Sequence, residues 1–61
     1  MNIKKIREKK GITQQELATV LGVGQSTVAM WETNKSLPRV ETLKAIAKAL
    51  GCTIDELLDT E

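Results

Sequence analysis

Only three residues, Gly22, Val23 and Gly24, separate two stretches whose apolar residues recur at helical spacing. Leu17, Ala18 and Leu21 lie before the link, and Val28 and Trp31 follow it. So short a connection forces the two helices to meet at a sharp angle. Gly22 stands where a helix ends in a left-handed residue, a conformation that glycine adopts without steric cost. The rest of the chain has to pack around that corner.

Gly11 and Gly51 close two further stretches of the same kind, and nothing alternates with period two for long enough to propose a strand. The spacing predicts an all-α domain, a compact bundle of five short helices: Asn2–Lys10, Gln14–Leu21, Gln25–Thr33, Val40–Leu50 and Ile54–Asp59. Thr13 and Glu16 stand in the S/T-x-x-E relation of a capping box, with Ile12 placed to staple onto Leu17. Thr53 and Glu56, with Cys52 and Leu57, repeat that start code. Gly24 caps the third helix, Val23 and Val28 are its staple pair, and Asn34 tolerates the left-handed turn that ends it. Residues 34–39 are a loop containing Pro38, and Arg39 offers the fourth helix no side-chain acceptor as a cap.

None of these helices is long enough to be stable alone in water. Ile3, Ile6, Leu17, Ala18, Leu21, Val23, Val28, Trp31, Leu43, Ile46, Ala47, Leu50, Leu57 and Leu58 are therefore expected to share one core. At 61 residues the chain is expected to be a single domain, residues 1–61.

Composition removes most catalytic chemistry. His, Tyr and Phe are absent, and Cys52 is the lone cysteine. No imidazole base, His-containing metal site, internal disulfide or two-cysteine metal pair can form, and a reducing cytosol suits such a chain. No base is at hand to activate Cys52, Ser26 or Ser36, and the carboxylates are accounted for by caps and solvated faces. Gly22 and Gly24 do not make a phosphate loop, since no strand precedes them and no Gly-Lys-Ser/Thr follows. We expect no enzyme, metal, cofactor or small-molecule ligand. The start MNIKKIREKK is charged from residue 4 with no long apolar run after it, so neither a signal peptide nor a membrane span is expected. Net charge is only +1, but residues 1–39 carry seven basic and three acidic side chains and residues 40–61 two and five. That polarity fits a face turned toward a polyanion, and it equally fits an ordinary solvated surface.

Residues 14–33 therefore read as a helix-turn-helix, a corner also common in proteins that never touch nucleic acid. The side chains left outside the corner say more. On the third helix, Val28 and Trp31 make the apolar face, while Gln25, Ser26, Thr27, Ala29 and Met30 make the other. That second face carries no charge. Short neutral hydrogen-bonding groups and small apolar groups suit base edges in a major groove: Gln pairs with adenine in a bidentate way, and an apolar group touches a thymine methyl. Gln25, Ser26, Thr27 and Met30 are the candidate base readers. Gln14, at the first turn of the second helix, and Thr33, Asn34, Lys35, Ser36 and Arg39, beyond the third, are placed for phosphates.

The stretch GITQQELATVLGVGQSTVAMWETNKSLPRVETLKAIAKALGCTIDELL resembles the Cro/phage-repressor type of helix-turn-helix domain, also called the XRE family. The likeness covers residues 3–58, with TQQELA…GVGQSTVAMWE as its specific signal. It implies a lambda-repressor-like fold in which the third helix reads bases and the second crosses the backbone. Gln14 matches a Gln that holds a phosphate and can brace the first Gln of the recognition helix, here Gln25. Arg7 and Glu32 match a buried ion pair that ties the first helix to the third in some members. Two departures stand out: Asn34 where many members have Gly, and Met30 where polar readers are frequent.

The expected function is a sequence-specific, double-stranded DNA-binding transcriptional regulator, a bacterial or phage repressor acting in the cytoplasm, at the nucleoid, by operator occupancy. One recognition helix makes few base contacts, so a homodimer on a pseudo-palindromic operator is expected, with half-sites about 34–36 Å apart. The last helix and the acidic tail, with Leu57 or Leu58 partly exposed, are the expected dimer surface. The alternative is a helical protein-interaction module, antitoxin-like or an adaptor component, whose Gln25–Met30 face binds protein.

Overall fold

The chain runs as α1 (Ile3–Lys9), α2 (Gln14–Leu21), α3 (Gln25–Glu32), α4 (Val40–Leu50) and α5 (Ile54–Leu58) in the computed structural model, which describes residues 1–59. Two helices start with reciprocal caps. The Glu16 N–H donates to the Thr13 hydroxyl at 3.0 Å, and the Thr13 N–H donates to Glu16 Oε1 at 2.9 Å. Thr53 and Glu56 repeat the pair at 3.1 and 2.8 Å. Each box satisfies two backbone donors that a helix start otherwise leaves open. The bonds from the Thr13 and Thr53 backbones hold the Glu16 and Glu56 carboxyls below their usual range.

Four helices also end alike. After α1, α2, α3 and α4 the chain turns through a residue of positive φ: Gly11, Gly22, Asn34 and Gly51. At each turn the next N–H reaches back to the carbonyl five residues earlier: Ile12 to Arg7, Val23 to Ala18, Lys35 to Met30 and Cys52 to Ala47. The turn residue itself donates to the carbonyl three before it, which completes the paired closure that uses up the last carbonyls of a helix. At Gly22 φ is +73°, which a side chain would resist, and Asn34 manages +61° because a short amide tolerates that region.

Stapled in this way, the helices fold into a unit 25 × 23 × 19 Å across. α2 packs on α3 and α4, α4 on α5, and α1 on α3. Ile3, Leu17, Ala18, Val28, Trp31, Ile46, Ala47, Leu50 and Leu57 form the buried core. Ile6, Ile12, Leu21, Val23, Leu43 and Cys52 close its margin. The Asn2 N–H donates to the Leu57 carbonyl at 2.8 Å, so the start of the chain is tied to its last helix. No helix among the described residues is long and apolar enough to cross a membrane.

Leu58, expected in the core, is 49% exposed beside the fully buried Leu57. α5 has only five residues, and neighbours on a helix point about 100° apart, so a helix one turn and a half long buries one of the two. Four expected helix ends also move inward by a residue: α1 runs from Ile3 to Lys9 rather than from Asn2 to Lys10, α3 stops at Glu32 and α5 at Leu58. The closing turn begins earlier than the apolar spacing indicates. Leu57→Ala is expected to cost about 2–5 kcal/mol of stability. Leu58→Ala should stay within about 0.5 kcal/mol, a contrast that urea unfolding of the two variants measures.

Candidate nucleic-acid interface

The site is built around one buried charge pair. Arg7, on α1, is 7% exposed. Its Nε donates to Glu32 Oε2 at 2.6 Å and its Nη2 to Glu32 Oε1 at 3.2 Å, a forked pairing across 25 positions of sequence. The remaining fork arm, Nη1, donates to the Ile12 carbonyl at 2.7 Å. Both side chains are nearly dry, at 9% and 2% exposure. Burial alone would raise the Glu32 carboxyl, but the hydrogen bonds from Arg7 and Gln14, with the Arg7 charge, outweigh it and hold it below the ordinary range. Arg7 is shifted up, chiefly by its bond to Glu32.

From Glu32 the network runs outward to the surface of α3. Gln14, the first residue of α2, donates from Nε2 to Glu32 Oε1 at 2.9 Å. The Gln14 amide oxygen in turn accepts from Gln25 Nε2 at 3.4 Å. α1, α2 and α3 are thus joined by one continuous polar chain, and it ends on the first residue of α3. Among the described residues no buried side-chain nitrogen or oxygen is left without a partner.

Gln25, Ser26 and Met30 are exposed, and Thr27 and Ala29 are half-buried. Helical spacing explains the division. Thr27 lies one turn before the buried Trp31 and shares its side of the helix, whereas the pairs Gln25–Ala29 and Ser26–Met30 occupy the outward half. The uncharged face is therefore narrower than the sequence suggests, with Thr27 on its flank. The depressions between α1 and α5, lined by Ile6, Lys9 and Glu56, share no residue with α3.

Exposed polar and cationic groups follow α3 in the chain. Thr33, Asn34, Lys35 and Arg39 are all exposed. The Thr33 hydroxyl donates to the Ala29 carbonyl at 2.9 Å, which leaves its oxygen as an acceptor, and Asn34 Oδ1 accepts from the chain's terminal amine at 3.4 Å. Lys35 is set apart by its place in the closing turn. The equivalent residues after α1, α2 and α4 are Ile12, Val23 and Cys52, each half-buried against the core. That position ordinarily makes an apolar contact. At the end of α3 it carries an exposed ammonium group instead. Gln14 retains one Nε2 proton and its backbone N–H, a first-turn donor with no acceptor inside the helix.

The link between Glu32 and Gln14 and the bond from Arg7 to the Ile12 carbonyl have no local sequence signal. Each joins residues on different elements, whereas family resemblance implies the Arg7–Glu32 pair and the brace of Gln25 by Gln14. Cys52 is half-buried; burial raises its thiol, with Glu56 adding to the effect, which keeps it a weak nucleophile.

Comparison with known proteins gives a consistent result. The helix-turn-helix family matches residues 3–57. The chain is 41% identical over 59 residues to the HTH-type transcriptional activator BcrR of Enterococcus faecalis, covering 97% of this chain and 29% of BcrR. It is 34% identical to the cryptic phage CTXphi transcriptional repressor RstR of Vibrio cholerae, over 92% of this chain and 50% of RstR. It is 38% identical to repressor protein C2 of Salmonella phage P22, over 85% and 24%. The chain thus spans between about a quarter and a half of these relatives' lengths. A crystal structure of SinR, a master regulator for biofilm formation, in complex with DNA superposes with a TM-score of 0.83. It is 33% identical, and the match covers 93% of this chain and 92% of that one.

The buried pair gives two expectations for stability. Arg7→Met strands a carboxylate in a dry site and should cost about 3–5 kcal/mol in urea unfolding. Because the folded state holds Glu32 below its ordinary 4.5, the pair's stabilisation is complete above that pH and is lost as pH falls through the folded value. Glu16 and Glu56 act in the same direction. Urea midpoints are therefore expected to fall on acidification below about pH 4.5, with a shallower acid limb in Glu32→Gln.

Proposed function

The chain belongs to the helix-turn-helix family, and from that membership we propose that it is a sequence-specific, double-stranded DNA-binding transcriptional regulator. It acts in the cytoplasm, at the nucleoid, by occupying an operator rather than by catalysing a reaction. α3 is the recognition helix: Gln25, Ser26 and Met30 face base edges in the major groove, with Thr27 at the margin. Gln14, Asn34, Lys35 and Arg39 hold the flanking phosphates; Thr33, expected among them, has to release its hydroxyl proton from the Ala29 carbonyl before it can donate to one. The observation that carries this reading is the uncharged outward half of α3, braced at Gln25 by Gln14 and followed at its closing turn by the exposed Lys35. An exposed helix face without function ordinarily carries charge, as α1 does with Lys4, Lys5 and Glu8. Relatives named as an activator and as repressors match the same segment, so recognition is what the shared segment supplies. Repression follows where the operator overlaps the site that polymerase needs.

One helix of this size makes few base contacts, so the binding form is a homodimer on a pseudo-palindrome, with half-sites about 34–36 Å apart. Leu57 is fully buried and cannot contribute to a dimer surface; the exposed Leu58 can. Of the acidic tail, Asp59 is described and exposed, and Thr60 and Glu61 lie outside the described residues.

Selection from random duplexes should return a short inverted repeat. Gln25→Ala is expected to weaken that site by about 1–3 kcal/mol and relax one base position per half-site. Lys35→Ala and Arg39→Ala should weaken all duplexes alike, each reducing the slope of log affinity against log salt by about one. Affinity that ignores salt, or a Gln25→Ala variant with unchanged base preference, contradicts the proposal.

A further inference from the structure

We infer that Glu32 decides which base Gln25 reads, by fixing the direction of a relay of amide hydrogen bonds; the inference rests on α3 being the reader proposed above. The Glu32 carboxylate, ionised and nearly dry, can only accept. Gln14 must therefore turn its NH₂ toward Glu32 Oε1, where it donates at 2.9 Å. That choice points the Gln14 amide oxygen at the start of α3. An amide oxygen also only accepts, so Gln25 turns its own NH₂ inward and donates at 3.4 Å. What Gln25 then presents outward is settled: its Oε1 as an acceptor, and the one remaining Nε2 proton as a donor.

Adenine offers the complement in the major groove, the N7 acceptor beside the N6 amino donor. Guanine offers two acceptors, N7 and O6. A Gln25 locked in this sense sets oxygen against oxygen at guanine and pairs both groups at adenine. Arg7 adds no direction of its own; it keeps the carboxylate ionised and in place. Reversing the relay would put the Gln14 oxygen against the Glu32 oxygen in a buried setting, which the carboxylate charge forbids. Glu32 is thus a positioning residue that touches no base, and its reach to the surface is two hydrogen bonds long.

The test compares duplexes identical except for A·T or G·C at the pair that Gln25 reads. Wild type is expected to favour adenine. Glu32→Gln, whose amide can donate as well as accept, should lower the adenine-over-guanine affinity ratio by about tenfold. Gln14→Leu cuts the relay while leaving the Arg7–Glu32 pair intact, so it decides the matter if Glu32→Gln does not fold; the same drop is expected. Thr53→Ala, which removes the distant cap of α5, should lower the melting temperature and leave the ratio alone, separating lost stability from lost direction. A folded Gln14→Leu with the wild-type ratio overturns the relay. Wild type that binds a selected operator without preferring adenine at any position overturns it too, while sparing the proposed function. Wild type that binds no duplex removes both.

Discussion

A single charge pair, Arg7 with Glu32, is what the geometry of this small protein turns on. Ion pairs this dry are poor sources of net stability, since desolvating two charges offsets most of their attraction. What the pair supplies is position. Its fork engages both Glu32 oxygens, its third arm holds the Ile12 carbonyl ahead of α2, and the carboxylate takes a further bond from Gln14. α1, the link to α2, α2 and α3 are fixed relative to one another by groups whose bonding is directional. The core of nine buried apolar residues, most of them aliphatic, would fix that angle less sharply.

The helix ends put this rigidity to use. Each of α1 to α4 closes through the same paired hydrogen bonds, and the residue leaving the turn is apolar in three cases and Lys35 in the fourth. The cation thus emerges from a stiff turn directly beyond the uncharged face of α3. Positioning groups and reading groups are set by neighbouring features of one helix: its first residue is braced from within, and its last turn delivers charge outward. A duplex needs this division, because phosphate contacts set the register that base contacts exploit.

How much of this was legible in the sequence follows the range of the interactions. Both capping boxes, the glycine turns, the left-handed Asn34 and the three-residue corner are local, and five helices follow from them with ends misplaced by one residue at most. The spacing puts Leu57 and Leu58 in the core and also allows either to be partly exposed; the whole fold, not the short helix that carries both, leaves Leu58 outside. Thr27, grouped with the outward face in the sequence, lies on its flank because it stands one turn before the buried Trp31. Arg7 and Glu32 stand 25 positions apart and share no periodic pattern. Family resemblance pointed to them; chemistry read along the chain did not. The Gln14–Glu32 bond needs coordinates, since either end of an amide fits until its neighbours are known.

The sharpest probe of α3 as a major-groove reader alters the groove and nothing else. Replacing each adenine of a selected half-site in turn by 7-deazaadenine removes the N7 acceptor while keeping Watson–Crick pairing and the minor groove. If Gln25 lies against a base edge, one substitution per half-site lowers affinity by about 1–3 kcal/mol, and the loss disappears in Gln25→Ala. Full affinity at every substituted adenine would contradict Gln25 as the reader of an adenine edge.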